Sequence, residues 1–174
     1  MHLSNVLSAI ERGWFGVLVE PSKTAFEKLS LLHSQRENVT CYNVAIGEQD
    51  GEADFYESGE HLGTGDTSLI STLKHEETKR WMGTKFDNFT TTKTQVQTWK
   101  AFYESLPEKT FQLISIDCEG YDLYILAQMN LKEMGCEMLI IEWNSNDFNA
   151  YNILASAHGL KLYSKNAENL IFVK

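Results

Sequence analysis

Short apolar runs alternate with amphipathic stretches along this chain. Phe15 to Val19 is an apolar run closed by Glu20-Pro21, with the length and composition of a buried strand. Thr24-Ala-Phe-Glu27 fits a capping box, and Phe26, Leu29 and Leu32 recur three apart, as on one helical face. Val39 to Ile46 is rich in β-branched and aromatic residues and predicts the next strand. Gly47 to Gly51 is turn chemistry, and Ala53 to Tyr56 predicts a short strand beside it. Glu57 to Thr72 is the longest loop-like stretch, rich in Gly, Ser and Thr, and long ordered loops are often functional. Thr92 to Trp99 alternates as a strand does, and Ala101 to Leu106 predicts a short helix.

Two further buried runs follow, and both end in acids. Phe111 to Ile116 leads into Asp117-Cys-Glu-Gly120, and Met138 to Ile141 leads into Glu142-Trp-Asn144. Helices are predicted from Leu123 to Met129 and up to His158, where Gly159 is placed as a C-terminal stop. Leu160 to Tyr163 and Leu170 to Val173 predict a closing antiparallel strand pair. The chain has two prolines, no repeat and no linker, so its 174 residues read as a single domain. Strand-helix alternation implies an α/β fold with a mainly parallel sheet, whose ligands bind beyond the carboxyl ends of the strands. Glu20, Asn43, Asp117, Glu119, Glu142 and Asn144 then fall along one rim.

Composition narrows the classes. A hydrophobic fraction of 43% supports a packed core. Fifteen basic against twenty-four acidic residues give a net charge of −9, a poor match for a phosphate backbone, so no nucleic-acid partner is expected. No run approaches the length of a membrane span, and Glu11-Arg12 interrupts the N-terminal stretch before a signal-like core forms. Cys41, Cys118 and Cys136 are odd in number and far apart, which reads as reduced thiols and a cytoplasmic address.

Several residues carry candidate chemistry. Glu20, ending an early strand, reads either as an acceptor for both ribose hydroxyls of a nucleotide or as a solvated acid opening a loop. A dinucleotide-type glycine loop would lie about 20 residues earlier, at or before Met1. Asp117 and Glu119 could raise one another's proton affinity and supply a general base. They could instead bracket a cation with Glu142 and Asn144, or simply favour a helix dipole. The five histidines lack metal-ligand spacing, so no metal is assigned. His61 sits in the Gly/Thr loop, within reach of a substrate. Acidic neighbours make Cys118 a poor nucleophile. Gly63-Thr-Gly65 is too weak for a phosphate loop.

Taken in order, these elements resemble a known family. Gly16-Val-Leu-Val-Glu-Pro21, Phe26 and Leu29, Asn38-Val, Asn43-Val-Ala-Ile-Gly47, Thr67-Ser-Leu69, Asp117-Cys-Glu-Gly120 and Ile141-Glu142 are similar to the FkbM-type methyltransferases. The resemblance spans roughly Gly13 to Asn144. It implies a Rossmann-like class I methyltransferase fold, mainly parallel with an antiparallel C-terminal strand pair. It also implies S-adenosylmethionine as cofactor and a hydroxyl on a sugar, glycan or small natural-product-type molecule as acceptor. Under it, Glu20 with Pro21 would hold the ribose, and Asn43, Val44 and Ala45 would lie along the adenine. Asp117 would border the methyl end, with Asp117 or Glu119 as base. His61, Thr67, Ser68, Glu142 and Asn144 would face the substrate.

One departure stands out. The family's first strand and its Asp-x-Gly-Ala-type glycine loop have no counterpart here, so an N-terminally incomplete sequence is expected. Two other readings remain: a non-catalytic binding or assembly domain without the glycine loop, and an NAD-dependent enzyme using Glu20. The Asp-x-Glu-Gly element and the closing strand pair favour the methyltransferase.

Overall fold

The computed structural model describes residues 5–58, 70–84, 86–144 and 146–174. His61, Thr67 and Ser68 lie outside the described residues. The chain divides into two compact units, one of Leu7–Thr98 and one of Trp99–Lys174 with Met1–Val6.

The first unit opens with helix α1 (Leu7–Glu11) and strand β1 (Gly16–Val19), followed by helix α2 (Lys23–His33) and strand β2 (Val39–Tyr42). β1 and β2 form a two-stranded parallel sheet, with Gly16 opposite Val39 and Val19 opposite Tyr42. β1 is less buried than its apolar run predicts. Phe15 and Val19 are exposed, and Gly16 to Leu18 are half-buried; among the described residues β1 pairs only with β2. The helix start also differs from the capping-box expectation. Ser22, not Thr24, is the N-cap; its hydroxyl accepts the Ala25 N–H at 3.4 Å and donates to Glu57. Pro21 fixes an extended entry, and the distant Glu57 carboxylate holds Ser22 in place.

The expected strand from Val39 to Ile46 is two strands, because its halves pair with different partners. β2 ends at Tyr42, and β3 (Ala45–Gly47) lies parallel to β5 (Phe89–Thr98) in a second sheet of order β3-β5-β4. β4 (Gly51–Ser58) runs antiparallel to β5 for eight residues, twice the length expected from Ala53 to Tyr56. Between β4 and β5 lie helix α3 (His75–Thr78) and a 3₁₀ turn at Lys79–Trp81. Val44, Ala45, Phe55, Ile70 and Val96 are buried here beside four polar side chains, Ser22, Ser58, Thr72 and Thr94.

The second unit is more apolar inside. Helix α4 (Trp99–Ser105) leads to β6 (Leu113–Ile116), α5 (Asp122–Gln128), β7 (Met138–Glu142), α6 (Phe148–Ala157) and the pair β8 (Lys161–Lys165) and β9 (Asn169–Val173). The four strands form one sheet of order β6-β7-β9-β8. β6 and β7 are parallel, whereas β9 is antiparallel to both β7 and β8. The closing antiparallel pair is therefore as read from the sequence, and Gly159 ends α6 with φ +85°. Leu139, Ile141, Leu170 and Phe172 are completely buried, each contributing about 1.5–3 kcal/mol by burial.

The architecture is mixed α/β and consistent with a methyltransferase fold. The described strands show the mainly parallel sheet expected from the sequence only in part. Three parallel and three antiparallel pairings are spread over three sheets. β9 returns directly along β8 through a short turn, whereas β4 meets β5 antiparallel only after the long connection that carries α3.

Candidate functional site

In the second unit the parallel pairing of β6 and β7 sets Ile116 opposite Ile141. The next residue of each strand is an acid, so Asp117 and Glu142 leave neighbouring carboxyl ends side by side. Glu119 joins them from the turn after β6. One carboxylate oxygen from each of Asp117, Glu119 and Glu142 lies within 4.8 Å of the others. Such a group can share protons among its members or bracket a hard cation. The acids named from the sequence at these two strand ends are thus brought together.

The surroundings favour the protonated forms. Glu119 is 9% exposed, whereas Asp117 keeps an open side. Burial, then the charges of Asp117, Glu119 and Asp122, push Glu142 up to about 9, against one lowering hydrogen bond donated by the Asn144 amide. Glu142 Oε2 is buried without a hydrogen-bond partner among the described residues. Asp117 is also raised, by partial burial and then by Glu168. An unpartnered buried carboxylate oxygen is costly, and a bound proton removes most of that cost. Burial first, then Asp122 and Asp117, raise the Cys118 thiol well above its ordinary value, so it is not a nucleophile at neutral pH.

The turn itself is strained. Glu119 has φ +44° and Gly120 φ +98°; a left-handed backbone suits glycine but costs a glutamate about 1–2 kcal/mol. Asn144, after β7, has φ +45°, and its backbone N–H donates to the Glu168 carbonyl at 3.4 Å. A fourth acid, not singled out by the sequence, lies beneath the turn. Asp122 is 3% exposed, and its Oδ1 and Oδ2 accept the backbone N–H groups of Cys118 at 2.8 Å and Gly120 at 3.0 Å. Burial still outweighs these bonds and lifts it to about 6. The signal available in the sequence was an acid two residues after the turn glycine, at the head of α5.

In the first unit Glu20 and Asn43 end the parallel strands β1 and β2. The Asn43 amide donates to the carbonyls of Glu20 at 2.8 Å and Pro21 at 3.1 Å, and Thr94 Oγ1 donates to Pro21 O at 3.1 Å. These bonds fix the Glu20-Pro21 turn. Glu20 Oε1 accepts the Ser22 N–H at 2.8 Å, which pins the carboxylate at the strand end. A half-buried carboxylate fixed there matches the chemistry of a vicinal diol, which donates two O–H groups. Val44, just before β3, and Ala45, its first residue, are buried.

Acids at the carboxyl ends of parallel strands lie at the edge where open α/β sheets bind their ligands. The particular family follows from comparison with known proteins. Residues 2–166 match the Methyltransferase FkbM domain, and the chain belongs to that family. No curated protein and no solved structure matched it. Among the described residues, no helix is long and apolar enough to cross a membrane.

Proposed function

We propose that this chain is an S-adenosylmethionine-dependent O-methyltransferase acting on a hydroxyl of a sugar, glycan or small natural-product-type acceptor in the cytoplasm. The single observation that carries the reading is the family match over residues 2–166, which spans both groups of strand-end acids. When bound, the cofactor supplies an electrophilic methyl on a sulfonium. Glu20 takes the ribose hydroxyls, and the backbone of Asn43 to Ala45 lies along the adenine.

Asp117 borders the methyl end, and Asp117 or Glu119 accepts the acceptor's proton. Alignment of the hydroxyl is the larger contribution, because displacement at carbon needs an in-line approach. The proton leaves late, so a carboxylate need only orient and receive it. Glu142, protonated at neutral pH, can donate a hydrogen bond to whichever of the two acids carries the negative charge. Asn144, His61, Thr67 and Ser68 complete the acceptor side of this reading.

The test is transfer of a labelled methyl group from S-adenosylmethionine to a panel of hydroxyl acceptors. Wild type is expected to label at least one acceptor. Asp117→Asn with Glu119→Gln is expected to lower transfer about 100-fold or more while cofactor binding persists. Labelling that the double substitution leaves intact would remove the carboxylates from the reaction.

A further inference from the structure

We propose that Asp122 is a positioning residue, fixing the Asp117–Gly120 turn so that Asp117 and Glu119 converge on Glu142. The role rests on the reading of those carboxylates as the reactive end of the site.

An acid at the head of a helix has a plainer use, which is to offset the dipole and accept N–H groups of its own first turn. The bonds of Asp122 also run backward, to Cys118 and Gly120, ahead of the first residue of α5. A carboxylate holds its two oxygens at a fixed separation. Accepting one N–H on each therefore sets the spacing of those two nitrogens, and with it the torsions of Cys118 and Glu119 between them.

Glu119 is the residue that needs such a constraint. Its φ of +44° is uncommon for a non-glycine residue and persists only where the surroundings over-determine it. With the clamp released, Glu119 would return to an ordinary backbone form and its side chain would swing away from its partners. Among the described residues, Asp117, Glu119, Asp122, the Cys118 thiol and the Asn144 amide face Glu142. Loss of the convergence therefore registers in how Glu142 titrates.

The experiment uses the full chain with ¹³C-labelled carboxyl groups and follows Glu142 by NMR in wild type, Asp122→Glu and Asp122→Asn. Asp122→Glu keeps the charge, but its longer stem moves the carboxylate plane off the two N–H groups. It is expected to speed amide exchange at Cys118 and Gly120 about tenfold or more. It is also expected to bring Glu142 down toward an ordinary glutamate by about one unit or more. In a background of Asp117→Asn and Glu119→Gln the same substitution should move Glu142 clearly less, because only the displacement of the Asp122 charge itself remains.

Unchanged amides and an unchanged Glu142 titration in Asp122→Glu would overturn the proposal, leaving Asp122 as a helix-head charge. A shift that persists undiminished in the double background would overturn it as well. If Asp122→Glu does not fold, Asp122→Asn serves, with its direct loss of charge read in that same background. None of these readouts involves the cofactor. Failure to bind S-adenosylhomocysteine alongside an intact titration response would sink the methyl-transfer reading and leave the positioning role standing.

Discussion

Replacing Glu142 with glutamine should stabilise this protein at neutral and alkaline pH, although the residue lies in the candidate site. The folded value of Glu142, about 9, lies above its ordinary 4.5. A group raised in the folded state contributes stability that is complete below the ordinary value and is lost as pH rises toward the folded one. Wild type should therefore weaken steadily from about pH 5 to pH 9. The interval of about 2.5 units between 4.5 and pH 7 corresponds to roughly 3 kcal/mol for a fully isolated group. Asp117 and Glu119 share the charge, and Glu142 is only partly buried, so solvent screening reduces this to about 1–2 kcal/mol. Glutamine keeps an oxygen for Asn144 and turns an N–H toward the neighbouring carboxylates. The assay is urea unfolding followed by circular dichroism at pH 5, 7 and 9. Glu142→Gln should match wild type at pH 5 and raise the midpoint by about 0.5–1 M at pH 7. Equal midpoints for the two proteins at pH 9, or a less stable variant, would refute the placement of Glu142 among uncompensated acids.

Two further predictions concern helix ends. Ser22→Ala removes both the cap on α2 and the hydroxyl bound to Glu57, and should cost about 2 kcal/mol in urea unfolding. Thr24→Ala should change stability by less than about 0.5 kcal/mol; the reverse order would restore the capping box read from the sequence. Gly159→Ala places a side chain in a left-handed position with open space around it, so backbone strain alone should cost about 1 kcal/mol by the same measurement.

The apolar runs at Phe15, Phe111 and Met138 each yielded a strand, because a short run bounded by polar residues is a local signal. What decided the rest was not local. The run from Val39 to Ile46 breaks after Tyr42 because β2 has its partner in β1, whereas Ala45 has its partner in Val96, about fifty residues away. The helix start at Ser22 depends on Glu57, which no short window contains. Parallel and antiparallel choices depended on where β4 and β9 returned, and the apolar pattern reads alike either way. Asp117, Glu119 and Glu142 were legible as strand-end acids. Their convergence required the register of β6 on β7 and a left-handed Glu119. Asp122 was not legible as a site residue, because its contact with the turn is made through the backbone N–H groups of Cys118 and Gly120, which no side-chain pattern announces.

Calorimetric titration of S-adenosylhomocysteine into the 174-residue chain, repeated with Glu20→Ala, tests the central claim most directly. Saturable binding that disappears in the variant is the predicted result, because the ribose then loses its carboxylate. A folded protein that does not bind, or one that binds equally well without Glu20, would contradict the account of this chain as a cofactor-dependent methyltransferase.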